Sequence, residues 1–198
     1  MLPRVLTVVL FIAIMGLLVA QRFSLPPSLP TQITAVYEES NYHTGETLKR
    51  GQSVVTPGSG YLAISIGENI QIFMAANTEL TLERLYENEM TVHLTKGRIL
   101  VDAQGDVPIK VETNFTQHLV LEDIVSFINY DFLETVHVVP ISGSVQVSID
   151  SGENLLTPVP LSIHETDPVT FEKLEVNLAA GDAAKFYEWT GTLPQVTK

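Results

Sequence analysis

From Tyr61 onward the chain alternates apolar and polar positions with a period of two. Leu62, Ile64 and Ile66 fall on one side while Tyr61, Ala63 and Ser65 fall on the other, the pattern of a strand with one buried face. It resumes at Ile70, Ile72 and Met74 after Gly67-Glu68-Asn69, then at Leu80 and Leu82, and at Met90, Val92 and Leu94. Ile99 and Val101, then Val107, Ile109 and Val111, then Val136 and Val138, then Val145, Val147 and Ile149 continue it. Turn signals separate these runs roughly every eight to twelve residues, the rhythm of an all-β chain. Ile33 to Tyr37 reads as a first edge strand. Two stretches, around Ala76 to Glu87 and Leu121 to Ile128, also fit a helical face, and their β-branched content favours strand. Ser151 to Pro168 carries Pro158, Pro160 and Pro168 and predicts a long surface excursion before Phe171 and Leu174 return to the sheet. Phe186, Tyr187 and Trp189 are expected to cap the open end of the core.

A short phrase recurs among these strands: an apolar residue, two of filler, a glycine, then a strand. Its copies are Leu48-Lys49-Arg50-Gly51, Leu94-Thr95-Lys96-Gly97, Pro140-Ile141-Ser142-Gly143 and Leu178-Ala179-Ala180-Gly181. The glycines are 46, 46 and 38 residues apart. Gly51, Gly97, Gly143 and Gly181 are predicted as structural turn glycines. They do not read as phosphate-binding loops, because no helix start follows them. Recurrence at a fixed interval favours a β-solenoid-like or rolled β-sandwich domain over an immunoglobulin-like one.

These phrases also carry a family resemblance. Gly51-Gln52-Ser53-Val54-Val55-Thr56-Pro57-Gly58-Ser59-Gly60 followed by Leu62 to Gly67 resembles the opening of the FecR domain of bacterial extracytoplasmic proteins. Val92 to Arg98-Ile99 and Pro108 to Thr113 resemble its middle, and Val138 to Val147 and Leu178 to Ala183 its last two phrases. The resemblance covers about residues 48–185. Where the family shows a Gly-Thr pair before an aromatic strand, this chain has Glu122-Asp123-Ile124 ahead of Phe127. The resemblance implies the solenoid architecture and a domain that receives a signal outside the cell membrane. In the best-known branch of the family the signal comes from an outer-membrane transporter, and a cytoplasmic helical segment controls a sigma factor. Only Met1 to Arg4 precede the apolar run here, so that cytoplasmic arm is expected to be missing.

The apolar run from Val5 to Ala20 is broken only by Thr7 and Gly16, with Arg4 before it and Gln21-Arg22 after. Extended by Leu2 and Phe23, it is long enough to span a bilayer as a helix. A cleaved signal peptide is the rival reading, but cleavage after Ala20 would place Leu18 where a small residue is preferred. Charge around the run favours the short end inside and the remaining chain outside. The chain thus divides into a cytoplasmic end (1–4), a transmembrane anchor or signal peptide (5–23), a proline-rich stalk (24–31), a β domain (32–190) and a polar tail (191–198). The expected location is the bacterial cytoplasmic membrane, single-pass, with the β domain in the periplasm or outside the cell.

Composition narrows the chemistry. The chain holds no cysteine, which excludes disulfides, thiolate metal sites, cysteine nucleophiles and a lipidated cysteine. Its formal net charge is −12, and setting aside Arg4 leaves −13 beyond residue 20. Such a surface repels phosphate backbones, so nucleic acid is not an expected partner. His43, His93, His118, His137 and His164 form no paired ligand motif on one strand or helix face, and His93 and His137 fall on outward positions. Asp131, Glu134 and His137 would align only on a helix. Neither Gly-x-Ser-x-Gly nor His-Glu-x-x-His occurs. Asn114-Phe115-Thr116 fits a glycosylation sequon, which has little meaning in a bacterial setting. No catalytic, cofactor-binding or metal residue is therefore named. The expected function is a non-catalytic, membrane-anchored binding or sensing module, or an envelope scaffold, whose partner is an envelope protein or glycan. Its polar strand faces and the Ser151 to Pro168 segment are the expected contact surfaces. A carboxylate-based glycan-acting enzyme and a secreted structural subunit are the alternatives.

Overall fold

The computed structural model describes residues 26–38, 40–105, 107–113, 117–130, 134–149, 154–165, 169–176 and 184–192, together with Met15. The described strands are β1 (Thr31–Tyr37), β2 (Ser53–Val55), β3 (Tyr61–Ile66), β4 (Ile70–Met74) and β5 (Glu79–Tyr86). Next come β6 (Glu89–Ala103), β7 (Ile109–Glu112), β8 (Gln117–Leu121), β9 (Ile124–Tyr130) and β10 (Thr135–Ser142). The series ends with β11 (Val145–Ile149), β12 (Asn154–Thr157), β13 (Leu161–His164) and β14 (Thr170–Lys173), followed by one helix, α1 (Ala184–Thr192).

The fold is all-β: a single sheet curled over on itself into two layers. The front layer runs β1-β3-β4-β6-β9-β10-β13-β14. The back layer runs β2-β5-β6-β7-β8-β11-β12. Only β6 belongs to both. Pairing is antiparallel at every described junction except β6 with β7, which is parallel. A solenoid stacks parallel rungs, so of the two expected architectures the rolled sheet is the one that describes the molecule.

The sequence pattern explains how one strand serves two layers. The inward residues of β6 are Met90, Val92 and Leu94 in its first half and Ile99, Val101 and Ala103 in its second. Their parity changes from even to odd. An extra residue, Thr95, bulges out where Leu80 pairs with Leu94 but Glu79 pairs with Lys96, and a bulge turns the strand over by one position. Gly97 follows at φ +98°. A Cβ there would stand 2.5 Å from the Thr78 Cα, closer than atoms pack, so the site needs glycine on two counts. Thr78 is fully buried. Its Oγ1 accepts from Arg98 N at 3.0 Å and donates to Arg98 O at 3.1 Å, pinning the strand where it changes layer.

Gly51 (φ +78°) and Gly143 (φ +71°) mark two further crossings between the layers. At Gly51 the chain leaves Thr47, which bridges to Gln32 of β1, for β2 in the back layer. At Gly143 it passes from β10 in front to β11 behind. The recurring phrase therefore marks changes of layer. Gly97 departs from the expected form, because the strand runs through it instead of stopping there. Gly181 lies outside the described residues.

The main core is continuous between the layers. Leu62, Ile64, Ile72 and Val101 in front meet Leu82, Val92, Val111 and Leu119 behind. Both ambiguous stretches are strands, β5 and β8-β9. The Ser151 to Pro168 excursion is a correction: its described part forms β12 and β13, joined through Pro158-Val159-Pro160, and β12 and β13 extend opposite layers. Leu29 N donates to Leu85 O at 2.7 Å and Gly67 N to Pro30 O at 2.8 Å, so the end of the proline-rich segment is tied to the domain. Among the described residues no helix is long and apolar enough to cross a membrane. The expected anchor at 5–23 lies outside them apart from Met15.

Candidate functional site

The outer face of the front layer carries a second apolar cluster. Register places Ala35, Ala63, Phe73, Leu100, Phe127 and Val139 in one row across six strands. Strand alternation points these side chains away from the main core, yet Ala63 and Phe73 are fully buried. Their cover is α1. Phe186 is buried against the row, meeting Phe127 at 6.3 Å and Tyr61 at 5.6 Å between ring centroids. Tyr187 sits edge-on to Phe127 at 4.3 Å and Trp189 edge-on to Phe73 at 5.8 Å. Phe186, Tyr187 and Trp189 thus do not cap the open end of the main core; they belong to a helix laid across the outside of the sheet. The Arg98 guanidinium lies 5.6 Å from the Tyr187 ring centroid, within cation–π range.

A half-open cavity of about 380 Å³ remains between α1 and the edge strand β1, lined by Tyr37, Glu38, Tyr61, Lys185, Glu188 and Trp189. Tyr37 and Tyr61 are stacked at 5.4 Å and 12°, and Trp189 stands 5.3 Å from Tyr61 and 6.4 Å from Tyr37. The rings touch one another, so they form a continuous wall instead of a cage with an empty centre. Glu38 holds φ +61° at the point where β1 ends. Burial first, then the Glu38 carboxylate, pushes the Tyr61 phenol above its ordinary range, with Arg98 opposing. Burial likewise raises Tyr187. Both phenols stay protonated at neutral pH, as hydrogen-bonding groups on an aromatic surface. A site of this size and make-up, with a few polar groups around apolar faces, suits recognition of a small group or side chain.

Of the predicted turn glycines, Gly51, Gly97 and Gly143 lie away from this groove, at layer crossings. The histidines are dispersed: His43 in the loop after β1, His93 on β6, His118 on β8, His137 on β10 and His164 on β13. His164 Nδ1 shares a hydrogen bond with Thr135 Oγ1 at 3.2 Å, and its Nε2 lies 3.6 Å from Glu172. Asp131 of the helical-spacing trio lies outside the described residues. His93 is the exception to the expectation of solvated histidines without ligand neighbours. One of its ring nitrogens and one carboxylate oxygen each from Glu83 and Glu112 lie within 4.8 Å of one another, the arrangement among the described residues that could hold a metal ion. No local spacing signals it, because the three residues meet through a bulge and a parallel strand pair.

No family model matches the chain, and no curated protein matches it in sequence. Among solved structures it is similar to two crystal structures of a proposed anti-sigma factor from Parabacteroides distasonis ATCC 8503. Each has a TM-score of 0.54 and 14% identity, over 71% of this chain and 65% of that one. The chain spans about two-thirds of the length of that protein. The likeness is one of fold.

Proposed function

We propose that this chain is a membrane-anchored, extracytoplasmic binding or sensing module that acts without catalysis, recognising a ligand or an envelope partner at the groove between α1 and β1. The observation that carries the reading is that groove: a partly exposed aromatic wall flanked by Glu38, Lys185 and Glu188, with no pairing of nucleophile and base in its lining. The fold of a proposed anti-sigma factor supports a regulatory role. The apolar run at 5–23 supports an anchor with the β domain outside. The −13 charge beyond residue 20 argues against nucleic acid as the partner.

The test is site-specific photo-cross-linking of the full chain in intact cells. A benzophenone amino acid replacing Tyr37 should give one discrete adduct, while the same group replacing Glu68, in the turn after β3, should give none. No adduct from position 37, or the same adducts from both positions, overturns the proposal. Trp189 is the only tryptophan of the chain, so its fluorescence reports directly on occupancy of the groove by a candidate ligand.

A further inference from the structure

The Glu83, His93 and Glu112 cluster lies on the outer face of the back layer, on the opposite side of the molecule's sheet from the groove. Parallel pairing sets His93 of β6 directly beside Glu112 of β7. On the other flank Thr81 of β5 opposes His93, and the next pairs are Leu82 with Val92 and Arg84 with Thr91. Glu83 is the extra residue of that bulge, which re-aims a side chain that regular pairing would hold in line. Three strands thereby converge one imidazole and two carboxylates, each able to offer an atom within 4.8 Å of the others.

We infer that Glu83, His93 and Glu112 form a binding site for one divalent transition-metal ion of the zinc class. The donor set argues for that class: magnesium and calcium favour all-oxygen shells, whereas an imidazole nitrogen beside carboxylates suits zinc and its neighbours. Metal–ligand bonds of about 2.0–2.2 Å are within reach of three atoms that all lie within 4.8 Å of one another. The side chains have room to adjust, since Glu83 is exposed and His93 and Glu112 are half-buried. Two carboxylates brought together on a chain whose charge beyond residue 20 is −13 attract a cation. The ion would join β5, β6 and β7 and leave coordination positions on the solvent side for water or for a partner's side chain.

The experiment uses the full chain in detergent, stripped of metal with a chelator, and zinc alone as the probe. Equilibrium dialysis in excess magnesium should find one tightly held zinc per chain, and zinc should raise the melting temperature. X-ray absorption of the zinc-loaded chain should report a single imidazole with oxygen neighbours. His93→Gln and Glu112→Gln should each weaken binding at least about tenfold while leaving the metal-free melting temperature unchanged. His137→Gln, on the front layer, should bind as the parent does. Absence of saturable zinc uptake, displacement by magnesium, a site with two or more imidazoles, or undiminished binding in both His93→Gln and Glu112→Gln overturns the inference.

Discussion

Ala63, Phe73, Leu100 and Phe127 on the outside of the front layer are buried beneath a helix. Outward positions on the back layer include Thr81, Glu83, His93, Lys110 and Glu112, which are half-buried or exposed, with Thr91 buried among them. Both faces use strand β6, whose outward residues include His93 behind and Leu100 in front. Seven positions apart on one strand, the outward side therefore changes from a polar, charge-bearing surface to the floor of a second core. The comparison teaches that a strand's face has no fixed character along its length. What lies opposite decides it, and here α1 lies opposite only one half. Hydrophobic burial makes the front outer face part of the fold, whereas the back outer face is free to carry charge and chemistry.

The sharpest way to break this contrast is to remove the floor of the front cluster. Phe73→Ala should cost about 3–5 kcal/mol in denaturant unfolding. On the back layer Arg84→Ala, which removes the exposed pair with Glu89, should change stability by no more than about 0.5 kcal/mol. Equal effects would mean that α1 does not stabilise the sheet.

Next in size is the residue that lets β6 serve both faces. Gly97→Ala places a methyl group against Thr78 at a positive φ, and should cost about 2–4 kcal/mol. An unchanged melting temperature would contradict the crossing geometry.

The smallest effect concerns pH. Asp102 is fully buried on the outward side of the front layer; Gln104 donates to its Oδ1 at 3.2 Å, and Oδ2 lacks a partner among the described residues. Burial raises its carboxyl above the usual range, with the Gln104 bond opposing. Burial also raises Glu165, against hydrogen bonds from Thr113 and Tyr130. A carboxyl whose folded pKa exceeds its unfolded value binds its proton more tightly when folded. Stability from these groups therefore falls as pH rises from the unfolded carboxyl range through the folded pKa, and returns on acidification. Asp102→Asn should be more stable than the parent at neutral pH, with the advantage shrinking as the medium is acidified to the carboxyl range. A variant that loses stability at neutral pH would show that the charged form of Asp102 is the one the fold uses.

Much of the framework was legible because period-two alternation is a local signal. The runs at Leu62 to Ile66, Ile70 to Met74 and Met90 to Leu94 are strands with those residues inward, and even the parity change within β6 stands in the sequence. The helix was not legible. Phe186, Tyr187, Trp189, Thr190 and Gly191 are indifferent or poor helix formers, and α1 exists where an aromatic row on the sheet receives it. Pro158 and Pro160 suggested an excursion because proline interrupts strands; they occupy the connection between β12 and β13 and spare both. The groove went unseen because Tyr37, Tyr61 and Trp189 come from three separate elements. The metal-type cluster was hidden by two non-local facts, the bulge at Glu83 and the parallel register of β6 with β7. His93 alone carries no hint of either.

Because β6 runs unbroken through both layers, the molecule has no seam along which one layer could slide past the other. A slip of one position, about 3.3 Å, would turn every inward side chain of that strand outward in both layers at once. From His93 to Leu100 the strand extends about 23 Å at that rise. A disturbance at one end can reach the other only as a small tilt or twist of a stiff rod, clamped at its middle by Thr78.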